Sequence, residues 1–194
     1  MLSEQLQQSS RQFIRERSRM INSGFGRHLP DRLPRLRRLA PHCTGNGLRD
    51  PRVIVINETL DRRRLLGLIK RCDCLVSLHR SEGFGRGIAE ALLLERPVIV
   101  TGYSGNMDFT NPQNACLVDY QLVEVGPDEY PHAAGQRWAD PDLEQAAEYM
   151  RRVVSDPAWG AALATRGREL VEAQHGVAAV GRRCRTRLER LGFL

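Results

Sequence analysis

Lysine is almost missing from this sequence: Lys70 is the only one, although lysine and arginine together number 29 against 23 acidic residues. That bias weakens the usual meaning of a net charge of +6 and an isoelectric point near 9.5. A basic chain ordinarily suggests a polyanionic partner, but an arginine excess is also what a GC-rich genome produces. Aromatic residues are scarce, at 6%, and few interleave with the arginines. This argues against a nucleic acid stacked along a basic face, so no nucleic acid is expected as a partner. No apolar run approaches the ~20 residues of a membrane-spanning helix, and no secretory leader is recognisable. Five cysteines form an odd set, and reduced thiols in a cytoplasm are expected. Cys72 and Cys74 make a C-x-C pair without a second pair at zinc-like spacing. Cys74 opens an apolar run in which a small buried thiol fits.

Two phosphate-binding signatures are absent as well. No G-x-G-x-x-G and no G-x-x-x-x-G-K-[ST] occurs, which removes the dinucleotide fold's fingerprint and the P-loop. Asp108 and Asp119 do not form D-x-D, so a metal-bridged diphosphate has no obvious ligands. No metal is expected.

What is present is enough for one domain with an appendage. The chain has 194 residues, of which 41% are apolar and 27% charged, close to ordinary globular values, so a packed core is expected. Residues 1–50 stand apart as a basic arm, expected to be partly disordered. Arg11, Arg15, Arg17, Arg19, Arg27, Arg32, Arg35, Arg37 and Arg38 lie there among few apolar runs. Ser3–Ile21 reads as a basic helix, and Gly24, Gly26, Pro30, Pro34 and Pro41 break any regular element after it. Such an arm is solvated, or docks on a membrane or a partner.

Residues 51–194 read differently. Val53–Ile56 is a short β-branched run, expected to be the first strand of a parallel sheet covered on both faces. Asp61–Arg71 places Leu65, Leu68 and Ile69 at helical spacing, and Cys74–Leu78 is a second buried strand. A helix over Gly87–Glu95, a turn at Arg96-Pro97, a strand at Val98–Val100 and another at Cys116–Val118 continue the alternation. A polar stretch occupies Gly126–Pro141. An amphipathic helix then carries Leu143, Ala146, Ala147, Met150, Val153 and Val154, and two helices over Pro157–Ala173 and Val177–Leu191 form a tail. Arg182, Arg183, Arg185, Arg187 and Arg190 are read as the solvated face of that tail. The fold class expected is α/β, a doubly wound Rossmann-like parallel sheet with right-handed crossovers, which binds its ligand beyond the carboxyl ends of the strands.

At one such strand end stands Ser81-Glu82-Gly83-Phe84-Gly85-Arg86-Gly87-Ile88-Ala89-Glu90-Ala91. Three glycines permit close backbone approach, and the amides entering the helix suit a diphosphate. Glu82 and Glu90, with seven residues between them, put two carboxylates beside this turn. A carboxylate accepts paired hydrogen bonds from vicinal hydroxyls, so one glutamate suits a sugar and the other the ribose of a nucleotide sugar. The competing reading makes Glu82 a solvated loop residue and Glu90 a complement to the helix dipole. Asn106 either offers its amide to the ligand or belongs to a plain tight turn. His79 and Arg80, before the loop, either meet phosphate or acceptor or are structural. Arg86 supplements phosphate binding or reflects the arginine bias.

Ser77, Glu82-Gly83-Phe84-Gly85, Glu90-Ala91 and Arg96-Pro97-Val98-Ile99 resemble the E-x7-E signature of GT4-type retaining glycosyltransferases. The likeness continues through Tyr103–Phe109, Asn114, Leu117-Val118 and Trp138-Ala139-Asp140-Pro141, covering residues from about Arg52 to Leu194. What the resemblance implies is the donor-binding half of a two-domain GT-B enzyme of bacterial polysaccharide assembly. A sugar would pass from a UDP- or GDP-linked donor to a glycan or lipid-linked acceptor hydroxyl with retention, without a cofactor. Glu82 would be the catalytic-site residue that contacts donor-sugar hydroxyls. The amides of Gly83, Phe84 and Gly85 would face sugar and phosphate, Glu90 would bind ribose, and Asn106, Arg86 and His79 complete the implied donor site. The acceptor domain has no counterpart here, nor do the Arg and Lys that such enzymes direct at the diphosphate, which leaves a partner subunit or a longer protein to supply them. A cytoplasmic location, peripheral at the inner membrane, goes with this reading. The alternatives are a noncatalytic nucleotide- or sugar-binding module and a truncated, inactive fragment.

Overall fold

The computed structural model describes residues 20–22, 56, 59–127 and 129–194, with the backbone alone for Met20–Asn22. Ser18–Gly24 and Leu66–Leu194 make one compact unit; Met1–Arg17 and Phe25–Leu65 make the other. The order of elements among the described residues is β1 (Met20–Asn22), α1 (Arg62–Arg71), β2 (Cys74–Ser77), α2 (Arg86–Leu93) and β3 (Val98–Thr101). A 3-10 turn (Ser104–Asp108) leads to β4 (Cys116–Val118), β5 (Tyr120–Glu124), β6 (Arg137–Pro141), α3 (Leu143–Ser155), α4 (Pro157–His175) and α5 (Val177–Arg190). The protein is α/β.

Four parallel strands lie in the order β1-β2-β3-β4, in a register that sets Leu75 beside Val98, Val76 beside Ile99 and Ile99 beside Cys116. Every residue of β2 and β3 is buried, which is why these strands read as continuous apolar runs rather than as alternating ones. Successive side chains point to opposite faces, and two cores result. Leu75, Val98 and Val100 pack with Ile69, Ile88, Leu92, Phe109 and Val171 on one side. Cys74, Val76, Ile99, Cys116 and Val118 pack with Ala146, Val153 and Leu163 on the other. Helices therefore cover both faces: α1 and α2 one, α3 the other, with α4 contributing Val171 to the first core and Leu163 to the second.

The helix starts follow ordinary capping chemistry. The Asp142 carboxylate accepts from the amides of Glu144 and Gln145 at the head of α3, and Asp156 accepts from Trp159 at the head of α4. Each such cap is worth about 1 kcal/mol. α2 differs, beginning on Gly85 in the left-handed region with no side-chain cap.

Three expectations change. Met20 and Ile21, assigned to a basic helix over Ser3–Ile21, belong to a strand paired with Cys74–Val76; residues 3–19 lie outside the described residues. Part of the basic arm thus belongs to the sheet. Ile56, the last residue of the expected first strand, is irregular and 47% exposed, while Val53–Val55 lie outside the described residues. Third, the polar stretch before Pro141 closes an antiparallel pair, with Tyr120 opposite Pro141 and Leu122 opposite Ala139.

Among the described residues no helix is long and apolar enough to cross a membrane.

Candidate functional site

Two loops emerge from the carboxyl ends of neighbouring strands: residues 78–85 after β2 and residues 102–110 after β3. Their backbones are bonded directly. Gly105 N donates to Glu82 O at 2.9 Å, and Glu82 N donates to Ser104 Oγ at 2.8 Å. Ser104 holds φ +67°, an uncommon conformation for a residue with a side chain, costing about 1 to 2 kcal/mol. Its bond to Glu82 compensates in part. At Gly105 the loops touch so closely that a Cβ would collide with the Gly83 carbonyl and with Phe84 N. Glycine is required there by space, not by φ.

A buried polar network lies under these loops. The Asn106 amide nitrogen donates to Thr101 O at 3.0 Å and to Thr110 Oγ1 at 3.2 Å. Because a carbonyl oxygen only accepts, this fixes the amide's orientation and turns Oδ1 toward His79 Nε2, 3.0 Å away. Nε2 must then carry a proton, and it also lies 3.1 Å from Tyr103 O. On the other edge of the ring, Nδ1 is 3.3 Å from Ser77 Oγ and 3.2 Å from Ser77 O. In the neutral imidazole Nδ1 accepts the serine hydroxyl proton. Asn106 is fully buried and His79 is 9% exposed. Every polar side-chain atom of the pair has a partner within the chain, so the structure uses them to fasten one loop to the other. Their expected ligand contacts find no unsatisfied atom here.

The glycine loop itself is anchored and then left open. Gly85 has φ +85°, and a Cβ there would meet Ile88 Cδ1 at 3.0 Å and Asn106 Cβ at 3.3 Å. The first amides of α2 come next in the chain, unsatisfied within the helix by geometry. Phe84 turns its ring onto Phe109, with centroids 4.9 Å apart, and onto His175 at the end of α4, 5.4 Å away. Its side chain is a staple, and its peptide lies in the exposed Gly83-Phe84 stretch. Around Gly83 nothing stands within 4 Å of an added Cβ. Glu82 is half-buried beside this opening, Glu90 is half-buried one turn into α2, and Arg86 is exposed at the first helical position.

Arg80 is engaged by the β5-β6 ribbon. Its Nη2 lies 2.8 Å from Asp140 Oδ1 and its guanidinium carbon stands 4.7 Å from the centroid of the Trp138 ring. Ala139 N donates to Arg80 O at 2.9 Å. The β5-β6 ribbon is thereby fastened to the loop after β2. A ring pair, Tyr103 with Tyr120 at 5.0 Å, joins the same ribbon to the loop after β3. Sequence reasoning missed both contacts, because partners this far apart along the chain leave no local signal.

Cys72, Cys74 and Cys116 are buried and Cys184 is exposed. Burial, with smaller contributions from Cys116 and Asp73, pushes the Cys74 thiol up to about 12, and burial does the same to Cys116. Both stay protonated at neutral pH and act as small apolar side chains. Among the described residues no group of three or more His, Cys, Asp or Glu is placed to hold a metal.

Comparison with family models, with curated proteins and with solved structures yields no match for this chain.

Proposed function

We propose that the unit built on the four-stranded sheet, Ser18–Gly24 with Leu66–Leu194, forms the donor-binding domain of a retaining glycosyltransferase, a doubly wound Rossmann-like half of a GT-B enzyme. The observation that carries the reading is the exposed Gly83-Phe84 stretch just ahead of the buried Gly85. An exposed peptide stretch, anchored from beneath by Phe84 and Gly105, leads into the uncapped start of α2 with a glutamate on each side. Backbone amides and a helix N-terminus accept a diphosphate without further cations. Glu82 takes the hydroxyls of the transferred sugar and Glu90 the ribose diol, each as an acceptor of paired hydrogen bonds.

In this reading His79 and Asn106 are positioning residues rather than ligands. They hold the loop after β3 against the loop after β2, and so fix where the Gly83–Gly85 amides point. Preorganised donors of this kind, aimed where charge develops on the departing diphosphate, are the usual source of rate in group transfer. The acceptor, and the cations that complete diphosphate neutralisation, come from a partner subunit or from the rest of a longer protein.

The test separates sugar from nucleotide. Glu82→Gln weakens binding of a nucleotide sugar by about tenfold, the loss of one charge-assisted contact, and leaves the bare nucleotide diphosphate unchanged. Equal losses for both ligands, or no loss for either, remove Glu82 from the sugar subsite. Saturable donor binding without transfer to added acceptor, persisting when the partner subunit or the rest of a longer protein is supplied, identifies a binding module instead of an enzyme.

A further inference from the structure

The last helix, α5, keeps little of itself inside. Ala179 is its one buried residue, and its apolar side chains face outward: Val177 is 93% exposed, Val180 39% and Leu188 41%, followed by Leu191 at 49%. Residues 177, 180, 184, 188 and 191 recur at spacings of three and four, which stacks them along one side of a helix. Cys184, the exposed thiol, lies within that stripe. Phe193 and Leu194, 73% and 67% exposed, carry the apolar surface onward.

Charge accompanies the stripe. The helix has five arginines, Arg182, Arg183, Arg185, Arg187 and Arg190, against one acidic residue, Glu189, and all six are exposed. Arg183, Arg187 and Arg190, at spacings of four and three, run along one border of the stripe, and Arg185 stands on its other side. Reading these arginines as a merely solvated face leaves the row of exposed apolar residues between them without a purpose.

We propose that this face of α5 docks on an anionic lipid surface, the helix lying in the plane of the interface. An apolar stripe bordered by arginines is what such a surface takes: the aliphatic side chains enter the acyl boundary while the guanidinium groups stay at the anionic headgroups. A second copy of the chain fits less well, because facing two stripes brings two arginine borders together. A polyanion without an apolar phase, such as nucleic acid, leaves the stripe in water. The inference does not rest on the donor-site reading.

The experiment is flotation of the full chain with phosphatidylcholine vesicles, with and without phosphatidylglycerol, at low and physiological ionic strength. Binding is expected only with the anionic lipid and falls with added salt. Leu188→Asp, with its helix content checked against the parent by circular dichroism, lowers vesicle partitioning by at least about tenfold. Arg183→Gln and Arg187→Gln each lower it by about fivefold, and Glu82→Gln leaves it unchanged. Absence of binding to anionic vesicles, or binding indifferent to Leu188→Asp, overturns the proposal. A dimer in light scattering that Leu188→Asp dissolves, without vesicle binding, also overturns it and assigns the stripe to a second copy.

Discussion

His79 Nε2 stands 3.0 Å from Asn106 Oδ1, joining residues 27 apart in sequence at the carboxyl ends of neighbouring strands. Asn106→Ala would take a partner each from His79, Thr101 O and Thr110 Oγ1 in a buried setting. Each of these keeps one other contact, so the expected cost is about 2 to 3 kcal/mol, read as a shift in urea midpoint. Asn106→Asp costs at least as much, because a carboxylate oxygen then faces the Thr101 carbonyl. A midpoint within error of the parent chain contradicts the network.

Two glycines of the site are expected to behave in opposite ways. Gly105→Ala forces a methyl into the Gly83 carbonyl and Phe84 N, pushes the two loops apart and lowers both stability and donor binding. Gly83→Ala meets nothing within 4 Å. Its stability stays within about 0.5 kcal/mol of the parent, while the methyl occupies space assigned to the ligand. Unfolding and nucleotide-sugar titrations on the same samples check the pair; full binding by Gly83→Ala would place the ligand elsewhere.

The Arg80–Asp140 pair is part-exposed, with side chains 41% and 54% accessible, so its coupling is expected at or below about 1 kcal/mol. A double-mutant cycle with Arg80→Ala and Asp140→Asn measures it. Removing the guanidinium from the Trp138 ring also changes that indole's emission, a signal absent from Asp140→Asn if the stacking survives alone.

How far the sequence reveals this structure depends on how local the determinants are. β2, β3 and β4 were legible because strands buried on both faces are written as unbroken apolar runs, and α3 because Leu143, Ala146, Ala147, Met150, Val153 and Val154 recur at helical spacing. The ribbon of β5 and β6 was not. Tyr120-Gln121-Leu122-Val123-Glu124 is exposed along nearly its whole length, so no alternation marks it, and its pairing is set by Arg137–Pro141 across a long loop. β1 is three residues long and owes its form to pairing with Cys74–Val76, which no pattern around Met20 encodes.

The glycine loop illustrates the same divide. Its composition marked Gly83 and Gly85 as places of close approach, and Gly85 does hold a left-handed φ. For Asn106 and His79 the structural and the ligand-binding roles both stood open, since a polar residue that bonds its own chain and one that bonds a ligand look identical until the partner's position is known.

Alkaline pH supplies a further prediction. The Cys74 and Cys116 thiols rise from the ordinary 9.0 to about 12 through burial. Above 9.0 the unfolded chain loses protons that the folded chain keeps, so the stability these groups contribute is complete below that pH and is lost as pH climbs toward about 12. The slope is about 1.4 kcal/mol per thiol per pH unit. Cys74→Ala with Cys116→Ala flattens it in urea midpoints taken across that range. Among the described cysteines, Cys184 alone reacts quickly with a thiol reagent under native conditions; fast labelling of Cys74 contradicts its burial.

The most direct test of donor binding is calorimetric titration of the purified chain with UDP and with GDP, beside Glu90→Gln. Saturable binding of one nucleotide, weakened at least about tenfold in the variant through loss of a charge-assisted bond to the ribose, is the expected result. Binding of equal strength in both proteins, or no binding of either nucleotide, contradicts the donor-domain reading.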